Sequence, residues 1–163
     1  MTTTTTLAEL PSLKGHDLGP SDWIEITQKR VDTFADATGD HQWIHVDAQR
    51  AAKESPFGGP IGHGYLTLSL LIPMWNQVLT VSDATMAVNY GLNKVRFPAP
   101  VPVGSRLRLS ATLADVEQVR DGLQVTVTAV LERQGGDKPA CVAEPVFRFY
   151  GGRGVRAGGD RRA

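Results

Sequence analysis

Asp40 and His45 stand five residues apart in Gly39-Asp40-His41-Gln42-Trp43-Ile44-His45-Val46-Asp47. A carboxylate and an imidazole have ordinary pKa values of about 3.9 and 6.5, so together they can take a proton from water and return one near neutral pH. Downstream, His63-Gly64 opens a long apolar run. Free backbone N–H groups at a helix start polarise a carbonyl oxygen and hold the charge that develops on it. Gly64 is the candidate donor, the alternative being a glycine needed only for chain direction. The combination equips a site to move protons on a substrate whose carbonyl is polarised.

Taken singly, these residues also have plainer roles. Asp40 can cap the turn after Gly39, and His45 can be a hydrogen-bonded core histidine. His63 is read as holding the loop by hydrogen bonding, and Asp47 as a helix cap. Ser69 either bonds the carbonyl four residues back or faces the pocket. His41, His45 and Asp47 have metal-ligand chemistry, but convergence would need helical geometry that Gly39 argues against, so no metal is expected. Cys141 lies in a strand pattern with no basic neighbour and reads as a core residue. No Gly-x-Ser-x-Gly, P-loop or Gly-x-Gly-x-x-Gly is present to support a hydrolase elbow or a nucleotide site.

The elements that must position these groups follow from spacing. Thr27 is an N-cap for a helix to Thr38, with Val31, Phe34, Ala35 and Thr38 on one face and Gly39 as its stop. Asp40 to Val46 reads as irregular. A short helix follows from Asp47, and Ser55-Pro56-Phe57-Gly58-Gly59-Pro60 must turn. Gly62 to Leu79 is apolar nearly all round, which predicts a buried central helix, kinked at Pro73. Four β-rich stretches follow, 86–97, 106–119, 123–133 and 140–150, with turns at Asp121-Gly122 and 134–138. Helices first and then an antiparallel run predict an α+β fold, one curved sheet around the central helix.

The 163 residues are one domain by length, 41% apolar and 21% charged. Lys+Arg and Asp+Glu cancel at 17 each, so no overall charge favours nucleic acid. One cysteine excludes an internal disulfide and fits a reducing cytoplasm. The Thr-rich start lacks the pattern of a signal peptide, and no apolar run is long enough to span a membrane. Residues 1–10 are expected to be mobile, 11–151 to form the domain, and the Gly/Arg segment 152–163 to stay unpacked.

Phe34-Ala35, Thr38-Gly39-Asp40, Ile44-His45-Val46-Asp47, Ala51-Ala52, Phe57, Pro60-Ile61 and His63-Gly64 resemble the MaoC-like dehydratase family, whose members are (R)-specific enoyl-CoA hydratases of hot-dog fold. The Val95-Arg96-Phe97, Pro100-Val101 and Val103-Gly104 block is similar as well, and the nodulation-protein-N-like branch is the nearest subgroup. The resemblance implies a single hot-dog domain. It further implies Asp40 and His45 as the catalytic pair, with Gly64, His63 and Ile61 on the oxyanion and substrate side. The implied reaction is reversible syn addition of water to a trans-2-enoyl thioester, giving the (R)-3-hydroxyacyl thioester. It also implies a homodimer and no cofactor beyond the coenzyme A of the substrate, with an acyl-carrier protein as the other carrier. Gln42-Trp43 stand where many members carry Asn-Pro, so Trp43 either narrows the pocket or alters the loop. The alternatives are a hot-dog thioesterase and a non-catalytic acyl-thioester-binding module.

Overall fold

A computed structural model describes residues 1–151; the segment 152–163 lies outside them. The chain opens with β1 (Thr3–Thr5), a 3-10 turn (Leu10–Leu13) and the two-residue strands β2 (Asp17–Leu18) and β3 (Ile24–Glu25). Helices α1 (Gln28–Thr38), α2 (Trp43–Val46), α3 (Ala48–Glu54), α4 (Gly64–Ser69) and α5 (Leu71–Val78) follow. Strands β4 (Leu79–Val81), β5 (Ala84–Arg96), β6 (Arg106–Val119), β7 (Gly122–Arg133) and β8 (Cys141–Gly151) complete the fold. The main sheet runs β2-β6-β7-β8-β5 with β3 also on β6, all antiparallel.

Alternation decides which sheet face is inside. Leu107, Leu109, Ala111 and Leu113 of β6 are buried, as are Val125, Val127, Ala129 and Leu131 of β7 and Phe147 and Phe149 of β8. Against them lie Leu71, Met74, Trp75 and Val78 of α5, at helical spacing. The Trp75 and Phe147 rings stack with centroids 5.2 Å apart. Each Leu, Val, Met or Phe among them contributes roughly 1.5–3 kcal/mol when removed from water. This core fixes α4 and α5 across the sheet and so sets where the start of α4 sits.

The helix ends follow the local signals. The Thr27 side chain accepts from the Arg30 N–H at 3.2 Å, and Gly39 closes α1 in the left-handed region at φ 79°. Asp47 caps α3 by accepting from the Arg50 N–H at 2.9 Å.

Four expectations need correction. The central helix breaks at Leu70, not Pro73; Pro73 is the third residue of α5, where its missing N–H has no intrahelical partner to lose. The same pair of helices is buried on one side only: Tyr65 is 71% exposed, and Ser69, Pro73 and Asn76 are exposed along the same stripe. Residues 43–46, read as irregular, form one helical turn. Residues 1–10, expected to be mobile, are held. β1 pairs in parallel with β4, the Asp83 carboxylate accepts from the Leu7 N–H at 2.7 Å, and Leu7 and Leu10 enter the core.

Candidate active site

Asp40 and His45, read as the proton-handling pair, converge with His63, read as a loop tie. A carboxylate oxygen of Asp40 and one ring nitrogen each of His45 and His63 lie within 4.8 Å of one another. Asp40 is exposed, in the loop between α1 and α2. His45, on the single turn of α2, is 7% exposed, and His63, at the cap position of α4, is 2% exposed.

Main-chain carbonyls set the tautomer of both imidazoles. A carbonyl can only accept, so the His45 Nδ1–H donates to the Ile61 oxygen at 2.7 Å. That leaves Nε2 of neutral His45 with its lone pair. The His63 Nε2–H donates to the main-chain oxygen of Asp40 at 2.9 Å, and His63 Nδ1 is buried with no partner. The two rings stack, centroids 3.9 Å apart and planes 27° apart. Burial pushes the His45 pKa below its ordinary value; the Ile61 carbonyl opposes this, His63 adds to it, and Asp40 opposes it. His45 is therefore neutral at pH 7. Its main chain is anchored from α1, where the Gln28 amide donates at 2.8 Å to the His45 oxygen and at 2.8 Å to Asp32.

Ile61 serves through its backbone. Its carbonyl fixes His45, its N–H donates to the Ile44 oxygen at 3.0 Å, and its side chain borders a cavity. That cavity has a volume of about 330 Å³ and is lined by Phe57, Ile61, Gly64, Thr67, Phe97 and Val101 among others. Gly64 is the first residue of α4, and His63 gives the first turn no side-chain cap. A Cβ on Gly64 would meet the Phe97 ring at 3.1 Å, so close approach of that ring is one reason for glycine here.

The other candidates fall away from the site. His41 donates to Asp36 at 2.9 Å on the surface, and this bond raises its pKa. With Asp47 capping α3, the set His41, His45 and Asp47 does not assemble. Asp40, His45 and His63 have a spacing that an ion could bridge. However, the two rings are stacked with planes 27° apart, and nearly parallel stacked rings do not aim their in-plane lone pairs at one point. Ser69 bonds the Tyr65 carbonyl at 2.7 Å, four residues back. The Arg50 guanidinium covers the Trp43 ring, 4.4 Å from its centroid. Burial pushes the Cys141 thiol up to about 11, which leaves it a core residue and a poor nucleophile. Gln28, Phe34 and Phe97 were not visible as site residues in the sequence. Phe34 packs on His63 with centroids 4.9 Å apart, but only its place in the shared motif hints at this.

Fold and site together define a single hot-dog domain that presents an acid and two oriented imidazoles at the start of its central helix. The MaoC like domain matches residues 10–134, and the chain belongs to that family. It is 53% identical over 150 residues to 3-hydroxyacyl-thioester dehydratase Z of Mycobacterium tuberculosis, covering 91% of this chain and 99% of the relative. It is 47% identical over 139 residues to nodulation protein N of Rhizobium leguminosarum bv. viciae, covering 84% and 86%. An R-hydratase from Pseudomonas aeruginosa has the same fold, with a TM-score of 0.69 at 21% identity, covering 92% of each chain.

Proposed function

We propose that this protein is a (3R)-hydroxyacyl-thioester dehydratase that also runs as an (R)-specific enoyl-CoA hydratase. One observation carries the reading: neutral His45, its Nδ1–H held by the Ile61 carbonyl, keeps its other nitrogen Nε2 free, and Asp40 and His45 converge in one cluster. A water bonded at about 2.8 Å to two acceptors spans roughly 4.6 Å between them, and Asp40 and His45 offer a carboxylate oxygen and a ring nitrogen within 4.8 Å of each other. In the hydration direction, the water oxygen attacks C3 of the enoyl thioester as His45 Nε2 takes its proton. Charge moves to the thioester oxygen, which the Gly64 N–H holds. The imidazolium, steadied by Asp40, then gives the proton to C2 on the same face. Hydroxyl and proton of one water are thus added syn, and His45 returns to neutral. Asp40 orients the water, and His45 acts as base and then acid.

The substrate is an acyl thioester, with coenzyme A as carrier and no other cofactor. A homodimer is supported by β5, which has β8 on one side and no strand on the other among the described residues. Met86, Tyr90 and Leu92 on β5 are exposed, next to the open stripe of α4. A second copy pairing at that edge would cover both. No helix among the described residues is long and apolar enough to cross a membrane. A cytoplasmic location agrees with the single reduced, buried thiol.

The test is loss of the conjugated-thioester absorbance of crotonyl-CoA and of longer trans-2-enoyl-CoAs, followed with wild type, Asp40→Asn and His45→Asn. Turnover by wild type and a fall of about 10²–10⁴ in both folded variants are expected. Release of free thiol would instead indicate a thioesterase. Tight binding without turnover would indicate a non-catalytic acyl-thioester module.

A further inference from the structure

His63 has two unusual features. It is almost fully buried, yet its Nδ1 has no hydrogen-bond partner among the described residues, which is unfavourable for a buried polar atom. Its only side-chain bond runs from Nε2 to the main-chain oxygen of Asp40. A glutamine could supply that same N–H. Loop tying alone therefore does not account for an imidazole at this position.

What a ring adds is shape. The His63 ring stacks on His45 at 3.9 Å and is itself packed by the tilted Phe34 ring at 4.9 Å, so a flat plate backed by Phe34 lies against His45. His45 has only one side-chain hydrogen bond, to Ile61, and one bond permits rotation about its own axis. The plate removes that rotation. Its Nε2–H meanwhile joins the loop of Asp40 to the residue that immediately precedes Gly64.

We propose that His63 is a positioning residue: an imidazole whose ring wedges the His45 ring into its working orientation while its Nε2–H ties the Asp40 loop to the start of α4. This role rests on the reading of Asp40 and His45 as the proton-handling pair. The charged and titratable groups facing the stack are Asp40 from the loop before α2 and, through Gln28, Asp32 from α1.

Two variants separate the parts. His63→Gln keeps a donor for the Asp40 carbonyl and loses the plate, while His63→Phe keeps the plate and loses the donor. Each is measured by kcat and KM on crotonyl-CoA, by the pH profile of kcat/KM, by thermal melting, and by NMR titration of the His45 ring without substrate. In His63→Gln, kcat is expected to fall on the order of tenfold to a hundredfold with KM changed little, and the His45 titration is expected to move upward. In His63→Phe, kcat falls while the His45 titration stays near that of wild type. The role is overturned if His63→Gln keeps the wild-type kcat and His45 titration. It is also overturned if both variants lose only melting temperature and recover full kcat below it. If wild type itself does not hydrate enoyl-CoA, the functional reading fails. The NMR titration of folded His63→Gln then still decides whether His63 sets the state of His45.

Discussion

Replacing His45 by Asn and by Gln separates the structural use of its imidazole from the chemical one. An Asn amide nitrogen reaches the place of Nδ1, and a Gln amide nitrogen reaches the place of Nε2. His45→Asn therefore keeps the N–H that donates to the Ile61 carbonyl at 2.7 Å and deletes the free nitrogen. His45→Gln strands that carbonyl in a site that is 7–8% exposed, at a cost of about 1–3 kcal/mol. In a domain of this size each kcal/mol lowers Tm by about 2–4 °C, so His45→Gln should melt roughly 2–12 °C below wild type. His45→Asn loses part of the stack with His63 but keeps the bond, and should stay within about 1 kcal/mol of wild type. Both lose the proton acceptor, and kcat falls by about 10²–10⁴, or about 3–5 kcal/mol of barrier. The assays are urea or thermal unfolding and crotonyl-CoA hydration on the same preparations. The reasoning is refuted if His45→Gln is as stable as His45→Asn. It is refuted on the chemical side if His45→Asn keeps more than about a tenth of wild-type kcat.

Gly64→Ala places a Cβ 3.1 Å from two Phe97 ring atoms, and the ring must swing outward or α4 must shift. A loss of roughly tenfold in kcat is expected; Phe97→Ala added to Gly64→Ala should restore kcat to that of Phe97→Ala alone, and failure to do so would show that the clash is not the cause. Leu92→Lys on the free edge of β5 should turn a dimer into a monomer on gel filtration or sedimentation, and an unchanged dimer would place the interface elsewhere. Folded His45 titrates below its ordinary 6.5, so as pH drops below about 6.5 the unfolded chain binds this proton first and stability falls. Urea midpoints should therefore decline from pH 7 to pH 5 less steeply in His45→Asn than in wild type, and parallel curves would show that another group controls the acid limb.

What the sequence makes legible is what short-range rules govern. Thr27, Gly39 and Asp47 act within a turn of themselves, and each is found at the end it predicts. Strands β6, β7 and β8 follow from alternation, which survives any tertiary arrangement with one wet face, whereas β5 has no buried position and no alternating burial. Pro73 was misplaced because the rule that proline breaks a helix depends on its position in the helix. With the break at Leu70 it sits in a first turn and breaks nothing. The central helix reads as buried on all sides because apolar residues record that a face is covered, not by what. Tyr65 is exposed in one chain, at the face where a second copy is proposed.

The bonds that orient the two imidazoles were illegible for a different reason. They span 16 and 23 residues, and both end on main-chain oxygens. No side-chain type records such an acceptor, so neither position 61 nor position 40 carries a sign of it. The same fact has a consequence for function. Because His63 holds the backbone of Asp40 and not its carboxylate, Asp40→Asn leaves that bond in place, and the exposed carboxylate has only a 3.4 Å contact from the Gln42 N–H to lose. The loop should keep its path and the protein its stability, within about 0.5 kcal/mol. A drop in turnover in Asp40→Asn would then be a loss of chemistry and not of scaffold. The carboxylate is free to act on water because the chain around it is fixed through its backbone.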